Sequence, residues 1–152
     1  YAAFLRANYA IPALRASLGL VGRVYRDTWD VEAATGEAVV QKYVIGPVLL
    51  ALRGRYHTQG AAAFYRTGRE LQVMGPAGSY WTGDRELSGI STWLVGGRLS
   101  YVSKRQQSAD AFFEEIEVSV KTELMLYDVD PEAPNADRQS ALIFQGGLSA
   151  RF

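Results

Sequence analysis

The sequence predicts an all-β protein, an antiparallel up-and-down transmembrane β-barrel with about seven strands in one domain over residues 1–152. Three observations predict it. Apolar and polar residues alternate with a period of two along most of the chain, which sends them to opposite faces of strands. The alternating runs last about ten residues or more, against roughly five or six for an average strand. Short connections alternate with long ones, as the two ends of a membrane barrel require. The apolar faces are almost free of charge, and Arg, Lys and Glu crowd the opposite ones. In a soluble sandwich the apolar faces would meet in a core. In a membrane barrel they meet lipid, where an Arg or Lys at the midplane costs roughly 2–4 kcal/mol, and the charges turn inward.

The first strand spans 1–11, with Tyr1, Leu5, Tyr9 and Ile11 on one face and Arg6 and Asn8 on the other. Pro12 ends it, because proline has no N–H for a ladder. The second, about 14–25, sets Leu14, Leu18, Leu20 and Val24 against Arg15 and Arg23, and its alternation runs on through Asp27 and Trp29. The chain then reverses between 30 and 36. The third strand, 37–45, is the least regular, since adjacent Gln41 and Lys42 put a polar group on the wrong face in either register. Gly46-Pro47 makes a short turn. The fourth, 48–59, restores the pattern, with Leu50, Leu52 and Tyr56 opposite Arg53, Arg55 and His57. Residues 60–87 show no period and read as a long loop with a short hairpin around 64–73; loops of this length are usually functional or disordered. The fifth strand, 90–102, opposes Trp93, Val95 and Tyr101 to Arg98. The sixth, 112–127, opposes Ile116, Val118 and Leu124 to Glu115, Glu117, Lys121 and Glu123. After the acidic, proline-broken 128–138, the last strand occupies 139–152, with Phe144, Leu148 and Phe152 on its apolar face and Arg151 on the other.

Composition narrows the classes. Sixteen basic and sixteen acidic residues give a formal net charge of +0, so nothing argues for nucleic acid. Cysteine is absent, which removes disulfides, thiolate metal sites and thiol nucleophiles. No apolar run reaches the roughly 18 residues of a helical span. His57 is the only histidine, and no spaced acidic partner accompanies it, so neither a metal site, a catalytic triad nor a cofactor is expected. The carboxylates of 128–138 lack the order of an EF-hand and are interrupted by Pro131 and Pro134.

A final strand ending on Phe resembles the assembly signal of bacterial outer-membrane β-barrels, carried here by Phe144, Leu148 and Phe152. The resemblance implies the outer membrane as location, lipid as surroundings, and the barrel-assembly machinery as a partner through that strand. Three segments, VYRDTWDVEAATGEAVV (24–40), RGRYHTQGAAAFY (53–65) and GDRELSG (83–89), resemble an uncharacterised bacterial barrel family, domain of unknown function 3570. In its second segment His57 stands where tyrosine is common, and Gly60 where serine is. The family's proteins are longer and the match covers their C-terminal part. With an odd count of strands where even numbers are usual, this implies either a strand missed within 60–87 or an absent N-terminal part.

The expected interior comprises Arg6, Arg15, Arg23, Arg53, Arg55, His57, Arg98, Glu115, Glu117, Lys121, Glu123 and Arg151. In a narrow barrel these charges would pair and plug it. In a wide one a basic wall would face an acidic wall across water and bias ion passage. Trp29, Phe64, Tyr65, Tyr80 and Trp81 lie in or beside the loops, as a partner-binding surface or as loop packing. The leading expectation is a pore or transport channel for small polar solutes, without enzymatic activity. The alternatives are a plugged structural or docking barrel that holds a periplasmic or surface partner, and a soluble lipocalin-like binding barrel. On these facings Leu50→Arg should block assembly and Arg53→Leu should be tolerated.

Overall fold

The computed structural model describes residues 1–66, 82–104, 115–129 and 138–151. Its strands are β1 (Ala2–Ile11), β2 (Ala16–Arg26), β3 (Glu32–Ile45), β4 (Val48–Gln59), β5 (Ile90–Lys104), β6 (Glu115–Val129) and β7 (Gln139–Arg151). They form one all-β, up-and-down antiparallel sheet in chain order. The sheet is not closed, because β1 and β7 each pair on one side only.

Turn chemistry sets the boundaries. Pro12 opens a 3-10 turn, Pro12–Leu14, and Arg15 closes it in the left-handed region at φ 49°, its N–H returning to the Pro12 carbonyl at 2.9 Å. Gly46, at φ 50°, allows the two-residue reversal before β4, a conformation that costs glycine least. Between β2 and β3 the Asp27 carboxylate folds the chain. Its Oδ1 accepts the N–H groups of Trp29 (2.8 Å) and Val31 (3.1 Å), and its Oδ2 accepts the Tyr25 hydroxyl (3.1 Å). This side-chain turn competes with the ladder and wins. β2 therefore stops at Arg26, although the alternation runs on to Trp29, and β3 starts at Glu32, five residues before the expected 37. β5 runs two residues further than expected, to Lys104, and β6 two further, to Val129. The expected strand residues 112–114 lie outside the described residues, as do the hairpin from residue 67 onward and Phe152.

One register holds across the sheet, with a single irregularity between Tyr43 and Ile45. Partners in an antiparallel ladder share a face, so each row can be read from edge to edge. Leu5, Gly22, Gly36, Tyr56, Trp93, Leu126 and Ser140 form one row; Arg6, Val21, Glu37, Arg55, Leu94, Met125 and Ala141 form the next, on the opposite face. On the apolar face, the described charged residues sit only near the ends of strands: Lys42 at the end with the Gly46 turn, and Arg26, Glu32 and Asp128 at the end with the Asp27 turn, called here the loop end. Tyr9, Tyr56, Trp93 and Tyr101 lie on this face, with the Tyr56 and Trp93 rings 4.5 Å apart.

The buried apolar cluster among the described residues lies at the loop end rather than between layers. Val31, Ala62, Tyr65 and Val129 form it, with Phe64 and Leu87 packed against it. Backbone bonds tie its parts: Ala62 N to Leu87 O (2.9 Å), Ala63 N to Trp29 O (2.9 Å) and Thr82 N to Phe64 O (3.1 Å). Asp84 caps a 3-10 turn at Arg85–Leu87, and the fully buried Ser88 hydroxyl bonds Arg85 O at 2.6 Å. The segments 24–40, 53–65 and 83–89 thus meet at this end of the sheet.

Candidate functional site: the charged face

Eleven of the twelve expected interior residues fall on one face: Arg6, Arg23, Arg53, Arg55, His57, Arg98, Glu115, Glu117, Lys121, Glu123 and Arg151. Arg15 departs from this. It occupies the turn before β2, with its guanidinium 5.5 Å from the centre of the Tyr43 ring. The charged face is also the more buried one. Along β3 and β6, charged-face positions other than Gln41 are half-buried or buried, while their apolar-face neighbours other than Thr122 are exposed. Glu123 retains 5% of its exposure, whereas Val95 and Val120 retain 61%. A soluble sheet shows the reverse.

The charges are ordered by height along the strands. At mid-sheet the Arg53 guanidinium bridges two strands, with Nη2 2.7 Å from Glu37 on β3 and Nη1 3.2 Å from Glu123 on β6; Lys121 Nζ lies 2.7 Å from the other Glu123 oxygen. The Arg53–Glu123 contact passes over β5 at Gly96, which the register places between them. A Cβ on Gly96 would collide with Glu123 Cγ and lie 2.7 Å from the Thr122 carbonyl oxygen. Nearer the opposite end, Arg98 pairs with Glu117 at 2.5 Å and bonds the Ser119 hydroxyl at 3.2 Å. Local pairing therefore describes Arg53, Lys121, Glu123, Arg98 and Glu117. These acids are neutralised by bases on the same strand or within two strands of it.

Towards the loop end, Arg6, Arg23 and Arg55 make no ion pair among the described residues, and the face there is basic. In one row Thr35 stands between Arg23 and His57, and its hydroxyl holds His57 Nδ1 at 2.9 Å. A cavity of about 350 Å3 opens beside it between β4, β5 and β6, lined by Arg55, His57 and Gln59 on one side and by Ile90, Leu94 and Met125 among others. Glu37, Thr35 and Gly96 belong to this arrangement although the sequence did not single them out. The signal that finds them is the register of β3 and β5, which no local pattern carries.

Of the assembly-strand residues, Phe144 and Leu148 stand exposed on the apolar face of β7. Of the loop aromatics, Tyr65 is buried and Phe64 stands edge-on to Trp29 at 5.8 Å, which is loop packing. Tyr80 and Trp81 lie outside the described residues. Among the described residues no group of three or more His, Cys, Asp or Glu is placed to hold a metal ion. No helix is long and apolar enough to cross a membrane, which says nothing of strands.

Fold and face together define an all-β meander whose apolar face is exposed and whose charged face is half-buried. The chain belongs to the family described as protein of unknown function (DUF3570), whose model matches residues 1–134. No curated protein and no solved structure matches it.

Proposed function

We propose that the protein is an outer-membrane β-barrel whose charged face lines an aqueous interior and passes small polar solutes. The observation that carries this is the inverted burial of its two faces. On β6 the apolar face runs uncharged from Ile116 to Leu126. Those ten residue steps measure roughly 33 Å along a strand. At a tilt of about 40° they stand about 25 Å tall, the height of the apolar band of a membrane barrel. Arg26, Glu32 and Asp128 lie beyond such a band at the loop end, whereas Lys42 shares the row of Leu50, Leu99 and Val120 within it and would reach the interface only through its long side chain. Lipid tolerates no open sheet edge, so this reading requires further strands joining β1 to β7, whether from the same polypeptide or from copies of it.

The paired charges at mid-sheet favour a second reading, a barrel plugged at that level that serves as a docking structure. Two measurements decide. Native protein extracted in detergent should migrate differently on a gel before and after boiling, as closed barrels do. In planar bilayers it should give stepwise conductance. A heat shift without conductance selects the plugged barrel. Solubility without detergent and without a heat shift would overturn both.

A further inference from the structure

We propose that the cavity beside His57 is a binding site for a small amphiphilic anion, a carboxylate carrying a short aromatic or alkyl body. The site rests on the reading of the charged face as an aqueous interior. Two kinds of group meet there. Arg55 makes no hydrogen bond or ion pair among the described residues. His57 commits Nδ1 to Thr35 and leaves its other ring nitrogen without a bond among them. Such groups recognise an oxyanion, and a guanidinium fork fits a carboxylate in particular.

Below these donors the lining turns apolar. Leu94 keeps only 8% of its exposure, and Ile90 and Met125 extend this apolar floor, with Thr92 and Tyr127 beside them. Methionine adapts to irregular shapes and packs well on aromatic rings. The volume of about 350 Å3 lies at the lower end of small-molecule sites. An inorganic anion would leave the floor wet and unused. A cation would meet only like charge, since the carboxylates nearest the site, Glu37 and Glu123, are already held by Arg53 and Lys121. An anion with an apolar body uses both halves.

His57 is the only histidine in the sequence, so its ring protons are a single reporter at the site. The full chain, folded in a neutral detergent, is titrated with 3-phenylpropionate while the His57 ring signals are followed by NMR. The shift should saturate. At equal free concentration, 3-phenylpropanol, which lacks the charge, and acetate, which lacks the body, should each bind about tenfold or more weakly, the scale of one lost charge-assisted hydrogen bond or one lost apolar contact. Arg55→Gln should weaken 3-phenylpropionate by a similar factor, while Arg55→Lys keeps affinity within a few-fold. No saturable shift, an alcohol that binds as tightly as the carboxylate, or an Arg55→Gln titration unchanged from the parent would each overturn the site. Heat-dependent migration is read on the same samples. A heat-shifting barrel without binding overturns the site alone, and binding without a heat shift supports the site while overturning the membrane reading.

Discussion

At Gly96 the usual argument about glycine in a strand changes sign. A glycine in mid-strand ordinarily costs roughly 0.5–1 kcal/mol relative to alanine, through backbone entropy. Gly54 is such a case, with nothing within 4 Å of the position a Cβ would take. At Gly96 a methyl group would enter the space through which Arg53 reaches Glu123, and overpacking of that kind costs about 1–3 kcal/mol. Gly96→Ala should therefore lower the denaturation midpoint in detergent and Gly54→Ala should leave it equal or higher. If both moved it alike, the bridge over β5 would not exist in solution. Alternation alone sorts the adjacent Gly96-Gly97 pair, with Gly96 on the Arg98 face, but only the register shows that Arg53 and Glu123 meet over it.

Asp27 illustrates a local rule that defeats a longer pattern. Partial desolvation raises its carboxyl pKa, but the Trp29 and Val31 amides and the Tyr25 hydroxyl outweigh that and hold it below its ordinary 3.8. A carboxylate depressed in the folded state contributes stability above its unfolded pKa, and loses it as pH falls through the folded value. The Trp29 and Val31 amides should therefore stay protected from hydrogen exchange at neutral pH and lose protection only on acidification below 3.8. Asp27→Ala should remove protection at every pH. Protection that persists in the alanine variant would show that the loop-end cluster, not the side chain, holds this turn.

At the scale of elements, the strands whose punctuation is strong were legible. β4, bounded by Gly46-Pro47 and Gly60, has the same limits in sequence and structure. The start of β3 was not legible, because Glu32 to Gly36 is a run of small and polar residues with weak strand character. The Gln41-Lys42 conflict resolves near the element's end: Gln41 takes the charged face, and Lys42 takes an apolar-face row one step inside that of Ile45 and Val48. That row also holds Leu50, which is Lys42's register partner, so Leu50→Arg would set a second cation beside an existing one rather than a lone charge on a clean face. Val95 is the sharper probe. It lies on the apolar face between Gly54 and Leu124, remote from both charged ends, and is 61% exposed. In lipid, Val95→Arg should cost about 2–4 kcal/mol and block assembly. On a soluble sheet the same exposed change stays within about 0.5 kcal/mol. The tolerated control is Arg23→Leu rather than Arg53→Leu, since loss of Arg53 would strand the Glu37 carboxylate and leave Glu123 with Lys121 alone. Equal assembly of the Val95→Arg and Arg23→Leu variants would refute the assignment of the two faces.

The whole molecule exposes more surface than a compact domain of its size. A folded monomer of 16.7 kDa is expected to present about 7,600 Å2, and this chain presents 11213 Å2. The excess, about 3,600 Å2 on the same scaling, is what an open sheet gives when its apolar face has no layer opposite it and its outer edges have no neighbour. Sequence pattern made the first of these legible, since charge-free faces can be counted residue by residue. It did not locate the loop-end cluster of Val31, Ala62, Tyr65 and Val129, whose members come from the β2–β3 turn, the segment after β4 and the end of β6 and follow no common period. Lipid would cover the apolar face at no cost in hydrogen bonds, but it cannot satisfy the outward N–H and C=O groups of β1 and β7, each worth several kcal/mol in hydrocarbon. Closure must therefore accompany insertion. In the detergent-extracted native particle, amides along β1 should exchange as slowly as those along β4, and the particle's protein mass should exceed 16.7 kDa. A particle of that mass in which alternate β1 amides exchange freely would have an open edge, and an open edge is incompatible with a place in the bilayer.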